Sequence, residues 1–357
     1  MLYYDSASER PIRKKRERMG INVLSLFDGI SCGHLALNRA GIEVNKYFAS
    51  EIDKNAIKVT QHNFPNTTQL GDVLGIKGCD LPQIDLLMGG SPCQGFSFSA
   101  NKAQANSKNS KEGNIGEKLP PPHRLNLDDP RSKLFFEFVR LLEETKPKYF
   151  LLENVKMKQE FQDVISDLLG VKPQKIDSKN FSAQSRQRLY WTNIPFDKDC
   201  VDTDREGALL RDVMEPYYGE EAMSEQRVLQ KLIPLLESSK YRHGPDPEQS
   251  FCWRRDTQGR ILVMRPDKLK IQRIGRIGEG RHKSEIITVS SHPHVFDGKD
   301  IRKVNPLEAE RLQTVPDNYT KVEGMTTGMR YKMLGNGWTV TTVSHIFEGL
   351  KNKINNK

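Results

Sequence analysis

"INVLSLFDGISCGHLALNRAG" (residues 21–41) runs from an unbroken apolar stretch through a glycine-punctuated turn into a helical pattern. A short continuous apolar run is what a parallel strand buried on both faces requires. Leu35, Leu37 and Ala40 supply apolar helix positions, and Gly41 suits the left-handed residue that ends many helices. Strand, tight turn and helix in succession let a ligand approach the backbone at the carboxyl end of the strand. The turn does not read G-x-G-x-x-G, so taken alone it is equally a plain turn.

The alternation continues downstream. "VNKYFAS" (44–50) reads as a strand, "DKNAIKVTQHNF" (53–64) as a helix opened by Asp53, and "IDLLMGG" (84–90) as another buried strand. "SKLFFEFVRLLEETK" (132–146) spaces Phe135, Val139 and Leu142 along one helical face, and "KYFLLEN" (148–154) follows as a strand. Strand and helix alternating in this way predict an α/β fold with a mostly parallel, doubly wound sheet. From about Pro195 to Arg302 the alternation gives way to charged sequence punctuated by Gly and Pro, which reads as a separate, smaller domain. Beyond it "NPLEAERLQ" (305–313) is helical, and "GNGWTVTTVSHIFEGLKNKI" (335–354) reads as a glycine-rich turn leading into a final helix.

The 357 residues carry a formal charge of +9, which favours an anionic partner, nucleic acid above all. The basic stretch "ERPIRKKRERMG" (9–20) is a solvated tail or a phosphate contact. The 5 cysteines, Cys32, Cys79, Cys93, Cys200 and Cys252, never form C-x-x-C. Neither a disulfide framework nor a zinc site is indicated, and a reducing compartment fits. His292 and His294 read as loop residues, with no carboxylate or thiol spaced to share a metal. Apolar runs are too short for a membrane span, and no signal-peptide core is present.

Polar residues cluster at expected strand ends. Glu51 follows Gly29 by about 20 residues, the spacing of a ribose-binding carboxylate in dinucleotide sheets, and a surface carboxylate is the alternative. Asp72 could accept a bond from an adenine amino group. Cys93 follows "IDLLMGGSP", Glu153 and Asn154 end "KYFLLEN", and Arg186 and Arg188 lie in "AQSRQRLYW". Carboxyl ends of parallel strands converge on one crevice, so these groups can meet. A thiol needs a positive field or a base to become a nucleophile, and Arg186 could supply that field. On the residues alone a structural cysteine is the better reading of Cys93.

The ordered set resembles the DNA cytosine-5 methyltransferase family across nearly the whole chain. The resemblance rests on "FDGISCG" (27–33), "GDV" (71–73), "GGSPCQGFS" (89–97), "ENV" (153–155), "QSRQR" (184–188), "NPLEAERLQ" (305–313) and "LGNGWTV" (334–340). "SLFDGI", "GGSPC", "LFFEF" and the tryptophan of "GNGWTV" lean toward the de novo branch, whereas "PCQGFS" is similar to bacterial restriction-associated enzymes.

The resemblance implies a Rossmann-like methyltransferase domain that uses S-adenosylmethionine, with a smaller target-recognition domain. It divides the chain into a basic tail (1–19), a catalytic, cofactor-binding domain (20–196), a target-recognition region (197–329) that includes the helix 305–313, and a segment returning to the catalytic domain (330–357). Cys93 matches the thiolate that attacks carbon 6 of cytosine, and Glu153 the acid that engages ring nitrogen 3 and the exocyclic amine. Arg188 matches the guanidinium near the base carbonyl, and Arg186 and Gln184 support the thiol, the loop or the adjoining phosphate. On the cofactor side Phe27 stacks on adenine, Asp28, Gly29 and Ile30 form the turn, Glu51 and Ile52 meet the ribose region, and Asp72 and Val73 the adenine. Pro92, Asn336 and Trp338 complete that side; Trp338 departs from the commoner serine or valine.

Because carbon 6 is inaccessible in a stacked duplex, the target cytosine is expected to flip out. The long segment after Cys93, to about Arg131, is expected to close over the base, although its middle reads equally as sequence without a role. Gln94, Ser97, Gln184, Arg273 and Arg276 are the expected DNA contacts; "RIGRIGEGRHK", which holds Arg273 and Arg276, is equally a solvated charged loop. The implied partners are double-stranded DNA with a specific cytosine context and a cognate restriction enzyme or regulatory protein, with no metal and no membrane. A prokaryotic or phage source implies the cytoplasm or nucleoid, a eukaryotic one the nucleus. Two rivals stand beside this reading: a tRNA cytosine-5 methyltransferase, against which the missing Cys-Phe-Thr tripeptide counts, and a catalytically silent DNA-binding homologue.

Overall fold

The computed structural model describes residues 20–91, 130–196, 208, 210–215, 223–224, 253–255, 261–265, 270–276, 294–296 and 300–355. Seven strands form one sheet: β1 (Ile21–Leu26), β2 (Val44–Ser50), β3 (Thr68–Gln69), β4 (Leu86–Gly90), β5 (Tyr149–Val155), β6 (Gln174–Asp177) and β7 (Gln187–Thr192). Their order is β3-β2-β1-β4-β5-β7-β6. Strands β1 to β5 pair parallel, whereas β7 runs antiparallel to both β5 and β6.

The run 21–26, apolar but for the buried Asn22 and Ser25, is covered on both sides: Ile21 and Val23 enter one core cluster, Leu24 and Leu26 the other. Strand β5 behaves alike, with Tyr149 and Leu151 facing one way and Phe150 and Leu152 the other. The first face is covered by α1 (Cys32–Ala40) and α2 (Lys54–Asn63) and the second by α3 (Pro130–Thr145) and α4 (Gln159–Leu169). Asp53 caps α2 by accepting the Asn55 N–H at 2.9 Å, and Gly41 ends α1 at φ 70°, both as the sequence predicts. A single turn, α5 (Leu210–Val213), follows the sheet in sequence.

The C-terminal part packs differently from expectation. Helices α6 (Pro306–Leu312), α7 (Thr327–Asn336) and α8 (Val340–Asn355) join α1 and α2 on the first face of the sheet. Residues 305–329, expected with the recognition region, therefore pack in the main core: Ala309, Leu312, Val315 and Tyr319 are buried there, and the Tyr319 hydroxyl donates to the Ile30 carbonyl at 2.7 Å. Charge disguised this in the sequence. Glu308 and Glu310 are both fully buried. Glu308 closes a capping box with Asn305, which satisfies the helix N-terminus. Glu310 accepts from the Asn318 and Thr320 N–H groups at 2.7 and 2.8 Å and pairs with Arg330 at 2.9 Å. Gly335 and Asn336, expected in a turn, are the last residues of α7, and the turn proper is Gly337–Thr339.

The interval expected as a smaller domain contains a second, six-stranded sheet: β8 (Met223–Ser224), β9 (Trp253–Arg255), β10 (Ile261–Arg265), β11 (Lys270–Arg276), β12 (His294–Phe296) and β13 (Asp300–Lys303), ordered β8-β13-β12-β11-β10-β9. Only β11 and β12 pair parallel. The start of "RIGRIGEGRHK" is thus strand, with Arg273 paired to Leu262 and Arg276 to Phe296.

Removing one partner of a buried ion pair leaves the other uncompensated and typically costs about 3–5 kcal/mol. Glu310→Ala should therefore lower the urea midpoint by far more than substitution of the exposed Glu323. Equal midpoints would contradict the role given to Glu310.

Candidate active site

A cleft of about 410 Å³ lies at the carboxyl ends of β1, β2, β4 and β5, a volume typical of small-molecule sites. It sits where the strand order reverses, with β2 on one side of β1 and β4 on the other. The connections depart in opposite directions there and leave a crevice.

The first wall is the turn between β1 and α1. Phe27, Gly29 and Ser31 have φ values of 55°, 59° and 58°, so left-handed residues recur and coil the chain tightly. The coil brings the Gly29 N–H to Glu51 Oε2 at 2.8 Å, while Oε1 accepts from the Ile52 and Asp53 N–H groups at 2.7 and 2.8 Å. Three backbone donors fix the Glu51 carboxylate at the cleft. A Cβ on Gly29 would meet nothing within 4 Å, so open space lies against the backbone there. Asp72 follows the two-residue β3 and caps a 3₁₀ turn, accepting the Leu74 N–H at 3.1 Å. Ile52 and Leu74 are exposed apolar side chains, whereas Ile30 and Val73 border the cleft from the core.

Asp28 is enclosed beneath this wall. The Ser31 and Tyr47 hydroxyls donate to its carboxylate, the latter at 2.7 Å. Burial pushes it up to about 6, against the pull of those hydroxyls and that of Ser25. Cys32, also in the cleft wall, is pushed by burial up to about 12. It is an inert thiol.

The second wall gathers residues from three distant segments. Glu153, at the end of β5, is 8% exposed. Its Oε1 pairs with Arg188 Nε at 2.9 Å, and its Oε2 accepts from the Trp338 indole N–H at 3.1 Å. Because β7 runs against β5, the first residues of β7 lie beside the last of β5. That reversal puts Arg188 at the mouth of the cleft. Arg186 is buried, and its guanidinium donates to the Gly335 and Gly337 carbonyls at 3.2 and 3.0 Å. Burial and then Arg188 pull it down to about 9, with Glu153 opposing.

Glu153, Arg186, Arg188, Phe27, Asp28, Gly29, Glu51, Asp72, Asn336 and Trp338 thus share one cleft. Gln184 is the exception. Expected at DNA, it is fully buried, and neither amide atom of its side chain has a hydrogen-bond partner among the described residues. Pro92, Cys93, Gln94 and Ser97 lie outside the described residues, as do the side chains of Arg273 and Arg276. Sequence reasoning missed Gly90 and Ser91. The Ser91 hydroxyl receives the Asn154 amide at 3.1 Å. A Cβ on Gly90 would stand 2.9 Å from Trp338 Nε1 and 3.1 Å from Glu153 Oε2. Their signal was the "GGSP" ending of the strand, which reads as turn punctuation. Among the described residues no three His, Cys, Asp or Glu side chains are grouped to hold a metal, and no helix is long and apolar enough to cross a membrane.

Comparison with known proteins agrees with this geometry. The model of the C-5 cytosine-specific DNA methylase family matches residues 21–352. Type II methyltransferase M1.ScrFI of Lactococcus lactis subsp. cremoris is 28% identical over 94% of this chain and 79% of its own length. Orphan methyltransferase M.SPRI of Bacillus phage SPR is 35% identical over 49% of this chain and 38% of its own. The S. pombe Dnmt2 methyltransferase structure, 20% identical, superposes with a TM-score of 0.59 over 94% of this chain and 99% of that one, a likeness of fold.

Asp28 makes the pH dependence of stability testable. Its carboxyl is raised from 3.8 to about 6 in the folded chain, so between those values the folded state holds the extra proton. The stability linked to Asp28 is then fully present below 3.8 and is lost as pH rises through about 6. Asp28→Asn should flatten the fall in Tm between about pH 4.5 and pH 7. Parallel curves for the two proteins would exclude this assignment.

Proposed function

The chain belongs to the C-5 cytosine-specific DNA methylase family, and from that premise we propose that it methylates carbon 5 of a flipped-out cytosine in duplex DNA through a covalent bond between Cys93 and carbon 6. The observation that carries this reading is the Glu153 carboxylate, fixed between Arg188 and Trp338 in the cleft whose other wall presents Glu51 and Asp72.

The first wall fits S-adenosylmethionine. Glu51 keeps lone-pair capacity for ribose hydroxyls, Asp72 offers a carboxylate for an adenine amine, and the free space at Gly29 admits a ligand against the backbone. Phe27 and Ile52 supply apolar surface for the adenine, and Asn336 lies at the opposite end. Bound there, the cofactor supplies an electrophilic methyl group.

Carbon 5 of cytosine is a weak nucleophile until the ring is charged. Cys93 is two residues beyond Ser91, which lines the cleft. Its thiolate adds to carbon 6, and the electron pair flows toward carbon 5 and ring nitrogen 3. Glu153 holds a proton at nitrogen 3 and accepts from the exocyclic amine, while Arg188 compensates Glu153 and approaches the base carbonyl. Arg186 keeps a positive charge close to the thiolate, which favours ionisation. After methylation, loss of the carbon 5 proton expels the thiolate and restores the aromatic ring. The target base must leave the stack to reach these groups. The six-stranded sheet, together with Arg273 and Arg276, is the proposed reader of the flanking sequence, and a cognate nuclease is a proposed partner.

Purified protein should transfer labelled methyl from S-adenosylmethionine to duplex DNA, and Cys93→Ala should reduce transfer to background while retaining cofactor binding by calorimetry. Transfer to tRNA in place of DNA would overturn the substrate, and an active Cys93→Ala the mechanism. Affinity for DNA should drop about 10³-fold between 50 and 200 mM salt, the loss for roughly six phosphate contacts. Salt-insensitive binding would contradict a cleft bordered by cations.

A further inference from the structure

Trp338 belongs to the turn between α7 and α8, and that turn is clamped from below. The buried Arg186 guanidinium bonds the carbonyls of Gly335 and Gly337, leaving the intervening backbone little freedom. From this support the indole N–H reaches Glu153 Oε2, the oxygen that Arg188 Nε does not hold. Gly90 makes the contact feasible, because any side chain at that position would enter the space where indole and carboxylate meet.

We propose that Trp338 is a positioning residue for Glu153, its indole N–H fixing the carboxylate so that the acid is aligned before the base arrives. An indole nitrogen only donates. It cannot take a proton from the acid or the base; its part is to hold and orient the carboxylate. Two donors, one on each oxygen, fix the rotation of the carboxylate about its terminal bond, a torsion that is otherwise soft. A phenylalanine at 338 would keep a ring against the cofactor side and lose the donor, so the two roles of this residue are separable. The proposal rests on the methyltransfer reading above and concerns how its acid is prepared.

The experiment is Trp338→Phe in steady-state methyl transfer to duplex DNA, read as separate kcat and cofactor KM. The expected result is a fall in kcat of about tenfold, as for one lost transition-state hydrogen bond, with KM for S-adenosylmethionine and Tm close to those of the native protein. An unchanged kcat, or a loss confined to KM, overturns the proposal. Should the variant unfold, the native chain answers the question by indole ¹⁵N–¹H spectroscopy, because it has only 3 tryptophans. Glu153→Ala should move the Trp338 indole resonance upfield, and an unmoved resonance also overturns the proposal. If the native protein methylates no DNA but the resonance moves, the contact stands and the methyltransfer reading falls.

Discussion

A carboxylate at the bottom of a cleft is unstable unless donors replace the water it has lost, and Glu153 imposes that requirement on the surrounding fold. One oxygen takes the Arg188 guanidinium and the other the Trp338 indole. Each donor comes from a segment that the sheet must place with care. Arg188 arrives because β7 inverts the strand direction, and Trp338 because the chain crosses back over the first face of the sheet after residue 304. Three distant segments of the second wall are therefore joined through one acid.

The same logic governs the crossing itself. Residues 304–350 carry more buried polarity than a helical cover needs, but each charge is answered locally. Glu308 is spent on the N-terminus of α6 and on the Glu215 N–H at 2.9 Å, and Glu310 on the loop 318–320 and Arg330. Further ties run from this segment to α2 beside the first wall: Lys332 to Asp53 at 2.7 Å and Lys58 to the Glu323 carbonyl at 2.6 Å. The first of these is partly solvated and worth little in stability. The first links the cap of α2 to α7, the second α2 to the loop before α7.

The sheet was legible where burial on two faces writes a continuous apolar run, as at 21–26, 86–90 and 149–155, and helix ends were legible at Asp53 and Gly41, where one residue type satisfies a specific backbone need. The segment 305–329 was misplaced because a buried glutamate looks the same in sequence as a solvated one; only its partners, Asn318, Thr320 and Arg330, distinguish it. Gln184 is another polar side chain whose surroundings the sequence does not reveal: it is fully buried, with no side-chain hydrogen-bond partner among the described residues. The strands of the six-stranded sheet were unreadable individually, since runs as short and as charged as "WRR" and "DIRK" carry no period. Of the site, Glu51, Glu153, Arg186 and Arg188 followed from expected strand ends together with the family resemblance. The glycine at 90 did not, because its importance is the absence of a side chain.

The bond between Trp338 and Glu153 spans 185 residues, and those from Arg186 to Gly335 and Gly337 span 149 and 151. Synthesis proceeds from the N-terminus, and a domain tends to fold as its residues emerge. A chain halted on the ribosome before residue 338 would contain Glu153, Arg186 and Arg188, but neither the Trp338 donor nor the last helix that packs over α1. Completion of the site is thereby tied to completion of translation through this point, so truncated products would be left with an unfinished acid beside the cleft.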